Sequence, residues 1–133
     1  MTMTAERYAA YIDAFNRGDS DGYSQYYADD VVLVLAGDRT LHGKKEIVDF
    51  YRDVRAGTSR TIRVLQCIAE GDHFAAELES EFLALQDLPD FTAGALRTGD
   101  RIYLNSFILC ELRNDRFVRI RSAVFRKIER LAP

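Results

Sequence analysis

Tryptophan is missing from this chain, and cysteine, proline, histidine and methionine are each present only as a pair. Each shortage excludes something. Cys67 and Cys110 lie far apart and fit no metal or redox spacing, so they read as reduced core thiols of a cytoplasmic protein. His42 and His73 have no clustered ligands around them, which argues against a zinc site. With so little proline and only 8 glycines, the composition is neither disordered nor fibrous. No run reaches the ~18 apolar residues of a membrane span. The opening MTMTAERYAAYI lacks the basic region and apolar run of a signal peptide, so a cytoplasmic location is expected. A net charge of −3 argues against a nucleic-acid binder, whose surface must neutralise phosphates.

What is present fits one domain spanning residues 1–133, because 133 residues close one core and are too few for two. The chain is 47% hydrophobic and 29% charged, and its 7 Tyr and 8 Phe supply the aromatic bulk that tryptophan does not. Charge is uneven. Residues 1–40 hold three Arg against seven acids, whereas residues 113–130 hold seven basic residues against Asp115 and Glu129. A solvated strand face is the plainest reading of that basic tail.

The hydrophobic period divides the chain in two. Tyr8, Tyr11, Ile12 and Phe15 recur at i, i+3, i+4 and i+7, predicting a helix over about residues 4–17 that Gly18 ends. Asp19 or Ser20 caps a short second helix with Tyr23, Tyr26 and Tyr27 on its buried face. The β-branched run VVLVL reads as a strand, and a third helix follows over about 44–55 with Ile47, Phe50, Tyr51 and Val54 inward. From residue 59 the period becomes two, giving long strands at about 60–70, 73–86, 100–113 and 116–128. Gly71-Asp72 and Asn114-Asp115 are hairpin turns, and residues 87–99 form a longer loop. Helices followed by consecutive antiparallel strands predict an α+β domain with the helices on one face of a curved sheet.

The strings RYAAYIDAFNRGDSDGYSQYYADDVVLVL and HGKKEIVDFYRDV, with a last strand RFVRIRSAVF, resemble the nuclear transport factor 2-like superfamily, and within it the SnoaL-like polyketide cyclases and ketosteroid isomerases. The resemblance implies a cone-shaped, cystatin-like α+β barrel: a curved antiparallel sheet packed on three N-terminal helices, with an apolar pocket between them. It also implies a homodimer through the outer sheet face. Residue by residue, Tyr11 matches the isomerase tyrosine that donates to the developing enolate, and Tyr51 after Phe50 matches its supporting tyrosine. Asn105 stands where the isomerase has a protonated aspartate, and an amide can still donate. Leu35 stands at the general-base position. A side chain with no titratable group cannot move a proton, so ketosteroid isomerisation by that mechanism is not expected.

Strand alternation extends the candidate pocket. If Asn105 faces inward, so do Tyr103, Phe107 and Leu109, and matching the last strand through Phe125 turns Ala123, Arg121 and Arg119 inward too. An inward Arg121 needs an acid, which Glu79 or Glu81 on AELESEF could provide. That gives two readings: a structural ion pair, or an arginine-assisted site in which Glu79 or Glu81 handles a proton. Phe15, Leu35, Phe50, Tyr51, Tyr103, Phe107 and Phe125 complete the expected lining. Asp38 and His42 fall at its rim, His42 also as a candidate cap of the third helix.

The expected function is that of a small-molecule pocket protein, acting without cofactor or metal as an isomerase, cyclase, lyase or hydrolase on an apolar cyclic or aromatic substrate. Tyr11 and Asn105 would polarise a carbonyl and Arg121 would assist. Two rivals stand beside it: a non-catalytic carrier or sensor, which explains Leu35 as plain wall, and a dimeric interaction module. No nucleic acid or membrane partner is expected.

Overall fold

The computed structural model describes residues 3–35 and 39–133. Its elements run α1 (Ala5–Asn16), α2 (Ser20–Ser24), β1 (Tyr27–Val34), β2 (Thr40–His42), α3 (Gly43–Gly57), β3 (Thr58–Glu70), β4 (His73–Ala84), β5 (Arg101–Arg113) and β6 (Arg116–Arg130). The strands form one sheet in the order β2-β1-β6-β5-β4-β3. The expected α+β architecture is present, with two differences in detail. β1 runs parallel to β6, which makes the sheet mixed, and the curved sheet is unclosed. The parallel pair follows from the chain path, since a long excursion through β2, α3 and three further strands returns β6 beside β1 in the same direction.

Three residues of the string NRGD have a local reason. Gly18 takes a φ of +70°, the left-handed turn after the end of α1 that a side chain resists. Asp19 caps α2 by accepting from the Gly22 N–H at 3.0 Å. Asn16 reaches across to β3, donating to the Ile62 carbonyl at 2.9 Å and accepting from the Ile62 N–H at 2.8 Å. That two-point bond seats α1 on the sheet. At the opposite turn, Asn114 and Asp115 both have positive φ, as a two-residue hairpin requires.

Two expectations at element ends are corrected. Tyr27 belongs to β1 rather than to the second helix, which stops at Ser24, and residues 40–42 form a short strand. His42 occupies the cap position of α3 but makes no side-chain cap bond there. Glu46, in the first turn, instead accepts from the His42 N–H at 2.9 Å.

The main core lies between the helices and the sheet face bearing Phe74, Ala76, Leu78, Ile108, Cys110, Leu112, Phe117 and Ile120. Tyr8, Tyr11, Phe15, Tyr23 and Tyr27 fill it from the helical side and β1. Phe117 is fully buried and meets Tyr11 edge-on at a ring separation of 5.2 Å. A smaller cluster of Phe82, Ala84, Leu96 and Ile102 sits under the 87–99 loop. Asp100 anchors that loop, accepting from the Arg97 N–H at 2.9 Å and the Ala132 N–H at 2.6 Å.

Candidate functional site

A cavity of about 360 Å³ opens between α3, the 87–99 loop and the concave face of the sheet. Leu35, Phe50, Tyr51, Val54, Phe82, Phe91, Leu104 and Val124 make its wall mostly apolar. A deeper space of about 90 Å³ adjoins it and shares Leu35, Tyr51, Arg60, Ser106 and Ser122 with it. At the deep end the hydroxyls of Tyr11 and Tyr27 lie 2.7 Å apart. Each hydroxyl carries one proton, so one O–H is spent between them and the other is left to donate. Burial pushes both phenols far above the ordinary tyrosine range, which keeps them neutral donors.

Polar groups enter the concave face at four points. Ser80, Ser106 and Ser122 stand on the adjacent strands β4, β5 and β6, and Ser80 and Ser106 are buried. The fourth is Arg60 on β3. Its guanidinium carbon lies 5.3 Å, 5.4 Å and 4.7 Å from the ring centres of Phe15, Tyr51 and Phe82. Its Nη2 donates to Ser80 Oγ at a long 3.4 Å, and its buried Nε has no partner. Arg39 and Lys127 also line the cavity, and among the described residues the lining contains no carboxylate or imidazole.

Of the residues expected from sequence, Tyr11, Phe15, Leu35, Phe50 and Tyr51 line one or both of these spaces. The strand residues do not join them. Along β5 it is Ile102, Ser106, Ile108, Cys110 and Leu112 that are buried against the core, so Tyr103, Asn105 and Phe107 point to the convex face. Asn105 is buried there beneath Arg126, whose Nε donates to its side-chain oxygen at 3.0 Å. Glu79 pairs with Arg63 at 2.7 Å and Glu81 lies 3.9 Å from Arg101, both on that same outer face. Arg121 and Phe125 are outside as well, with Phe125 stacked on Phe107 at 4.4 Å. Neither acid pairs with Arg121, so the proposed proton-handling set is dispersed across the wrong side of the sheet. His42 is exposed and not part of the lining, and Asp38 lies outside the described residues.

The cause of the inversion is twofold. β6 carries irregularities where Val118 and Phe125 are extra residues opposite β5, and each shifts the alternation by one. On β5, matching Asn105 to the isomerase aspartate puts the parity one residue out, and Ser106 stands on the concave face where Asn105 is expected. The correct parity was readable: Arg101, Glu111 and Arg113 all fall on the odd-numbered side, which is therefore the wetter one. Arg60 went unnoticed, although it shares its strand face with Thr58 and Ile62, both of which are buried.

A helix-covered curved sheet with a hollow between its layers defines the ketosteroid isomerase-like class of α+β proteins. A family model for the SnoaL-like domain matches residues 8–120, and the chain belongs to that family. Among curated proteins none matches the sequence. The chain is similar to the structure of a candidate polyketide cyclase from Silicibacter, at 22% identity and a TM-score of 0.75 over 89% of this chain and 85% of that one. It is also similar to an epoxide hydrolase from M. tuberculosis, at 14% identity and a TM-score of 0.70 over 89% and 79% of the two chains. A third likeness, to a protein of ketosteroid isomerase-like fold from Catenulispora acidiphila, has 15% identity and a TM-score of 0.73 over 91% and 86%. At these identities the likenesses establish fold alone. Among the described residues no helix is long and apolar enough to cross a membrane, and no group of three or more side chains is placed to hold a metal.

Proposed function

We propose that the chain is a cofactor-independent, cytoplasmic small-molecule pocket protein that takes an apolar cyclic or aromatic compound into the concave cavity and polarises one of its oxygens. The observation that carries this reading is a cavity of about 360 Å³ leading inward to the Tyr11 and Tyr27 hydroxyl pair. That volume falls within the ~300 to 1,000 Å³ of ordinary ligand sites. A neutral phenol in a dry site stabilises a developing oxyanion in isomerisation, cyclisation or hydrolysis, and loss of one such donor typically costs ~10²- to 10³-fold in rate. The convex face suits a second copy of this chain, since Phe107, Leu109, Phe125 and Ile68 are all exposed large hydrophobics there and Phe107 stacks on Phe125.

The second reading, a carrier or sensor, draws on Leu35 at the wall and on a described lining that holds no carboxylate or imidazole. Incubation with steroids, polyketides and aromatic acids separates the two, with binding followed by calorimetry and conversion by mass spectrometry. Conversion that slows by at least ~10-fold in Tyr11→Phe supports the enzyme. Tight binding without conversion supports the carrier, and no binding by any class overturns the pocket reading.

A further inference from the structure

Among the described residues, the charge lining the cavity is out of balance. A guanidinium has five N–H donors, and Arg60 uses one, at a long 3.4 Å, while its buried Nε has none to meet. The rings of Phe15, Tyr51 and Phe82 offset part of the positive charge, but they accept no conventional N–H hydrogen bond. Arg60 is half-buried, and the part of its charge withdrawn from water is costly unless an acid answers it. No carboxylate does so among the described residues. Arg39, over the Phe50 ring at 4.6 Å, adds a second cation to the lining. Lys127 adds a third, itself close to Glu129 at 3.4 Å and donating to the Ala93 carbonyl. A cavity with apolar walls and an unanswered arginine is complementary to a ring system bearing an anionic oxygen pair.

Resting on the pocket reading above, we infer that Arg60 is the receptor for the carboxylate of an aromatic or cyclic acid. The guanidinium edge donates to both carboxylate oxygens, as its fork geometry favours. Ser80 lies beside it on the neighbouring β4, Ser106 lines the same cavity from β5, and the ligand's ring occupies the space among Phe50, Phe82 and Leu104. The unmet donors are thus the apo form of a salt bridge whose other half arrives with the ligand.

Two measurements on the full chain test this. In the first, 2-naphthoate and the neutral 2-naphthamide are titrated by calorimetry at matched ionic strength. A preference for the acid of at least ~10-fold is expected, abolished in Arg60→Gln and partly kept in Arg60→Lys. Equal affinity for acid and amide, or a preference that survives in Arg60→Gln, overturns the inference while leaving the pocket reading intact. Binding of neither probe counts against both. The second measurement needs no ligand. Arg60→Met replaces the unanswered charge with a side chain of similar length, so the melting temperature of the unliganded protein should rise. A fall shows instead that Arg60 serves to hold its three aromatic neighbours together, and overturns the inference.

Discussion

The two faces of the central sheet are made from the same strands and behave oppositely. On the concave face Phe74, Ala76, Leu78, Ile108 and Phe117 are buried against the helices, and the polar groups among the described residues are few, chiefly three serines, Arg60 and Lys127. On the convex face acids and bases form a cross-strand ladder, Arg63 with Glu79, Arg101 with Glu81 and Arg119 with Glu111, beside an exposed apolar patch around Phe107. Polar groups are numerous where water already solvates them and few where they are costly. The energetic stakes differ accordingly, since an ion pair in water contributes ~0 to 1 kcal/mol whereas a buried group without a partner costs ~1 to 3 kcal/mol.

That contrast can be tested by paired substitutions. Phe117→Ala should destabilise by about 3 to 5 kcal/mol in urea unfolding, because the ring is fully enclosed by tyrosines, whereas Phe125→Ala on the convex face should cost under about 1 kcal/mol in a dissociated monomer. Similar losses at the two sites would abolish the distinction between the faces. Tyr11→Phe leaves the buried Tyr27 hydroxyl without its partner, and a loss of about 1 kcal/mol is expected by the same assay.

Acid sensitivity sharpens the comparison at the loop over the cavity. Backbone N–H groups of Ala132 and Arg97 hold the Asp100 carboxyl below its ordinary value of 3.8. Folding therefore favours the anion: the contribution is complete above 3.8 and is lost as pH falls through the lowered value. Asp100→Asn should be less stable at neutral pH, and its stability curve should converge on that of the parent in acid, as followed by circular dichroism. The smallest effect belongs to Glu79→Gln, which removes one rung of the exposed ladder and should change stability by less than about 0.5 kcal/mol.

Much of the architecture was legible in residue order. The stripe Tyr8, Tyr11, Ile12 and Phe15 marks α1 and its buried side, and the period-two segments mark β3 to β6 within a few residues. Helical periodicity survives because it is averaged over several turns. Strand parity does not, because one extra residue reverses it, and the irregularities at Val118 and Phe125 exchange the faces of β6. The helix-borne part of the lining, Tyr11, Phe15, Phe50 and Tyr51, was accordingly readable, while Asn105, Arg121, Glu79 and Glu81 were assigned to the wrong side. Arg60 escaped notice because a lone arginine in an alternating strand looks like a solvated residue. Its burial arises from the rings of α1, α3 and β4 closing around it.

The bond between Asn16 and Ile62 has a consequence for how copies of this chain can meet. β3 is an outer strand of the sheet, and such strands invite another chain to add to them through their free backbone groups. Asn16 occupies both the N–H and the carbonyl of Ile62 on that open side. A strand from a second molecule cannot pair there without first displacing the amide. The side chain that seats α1 thus also covers backbone groups on the outer strand that an added strand would need.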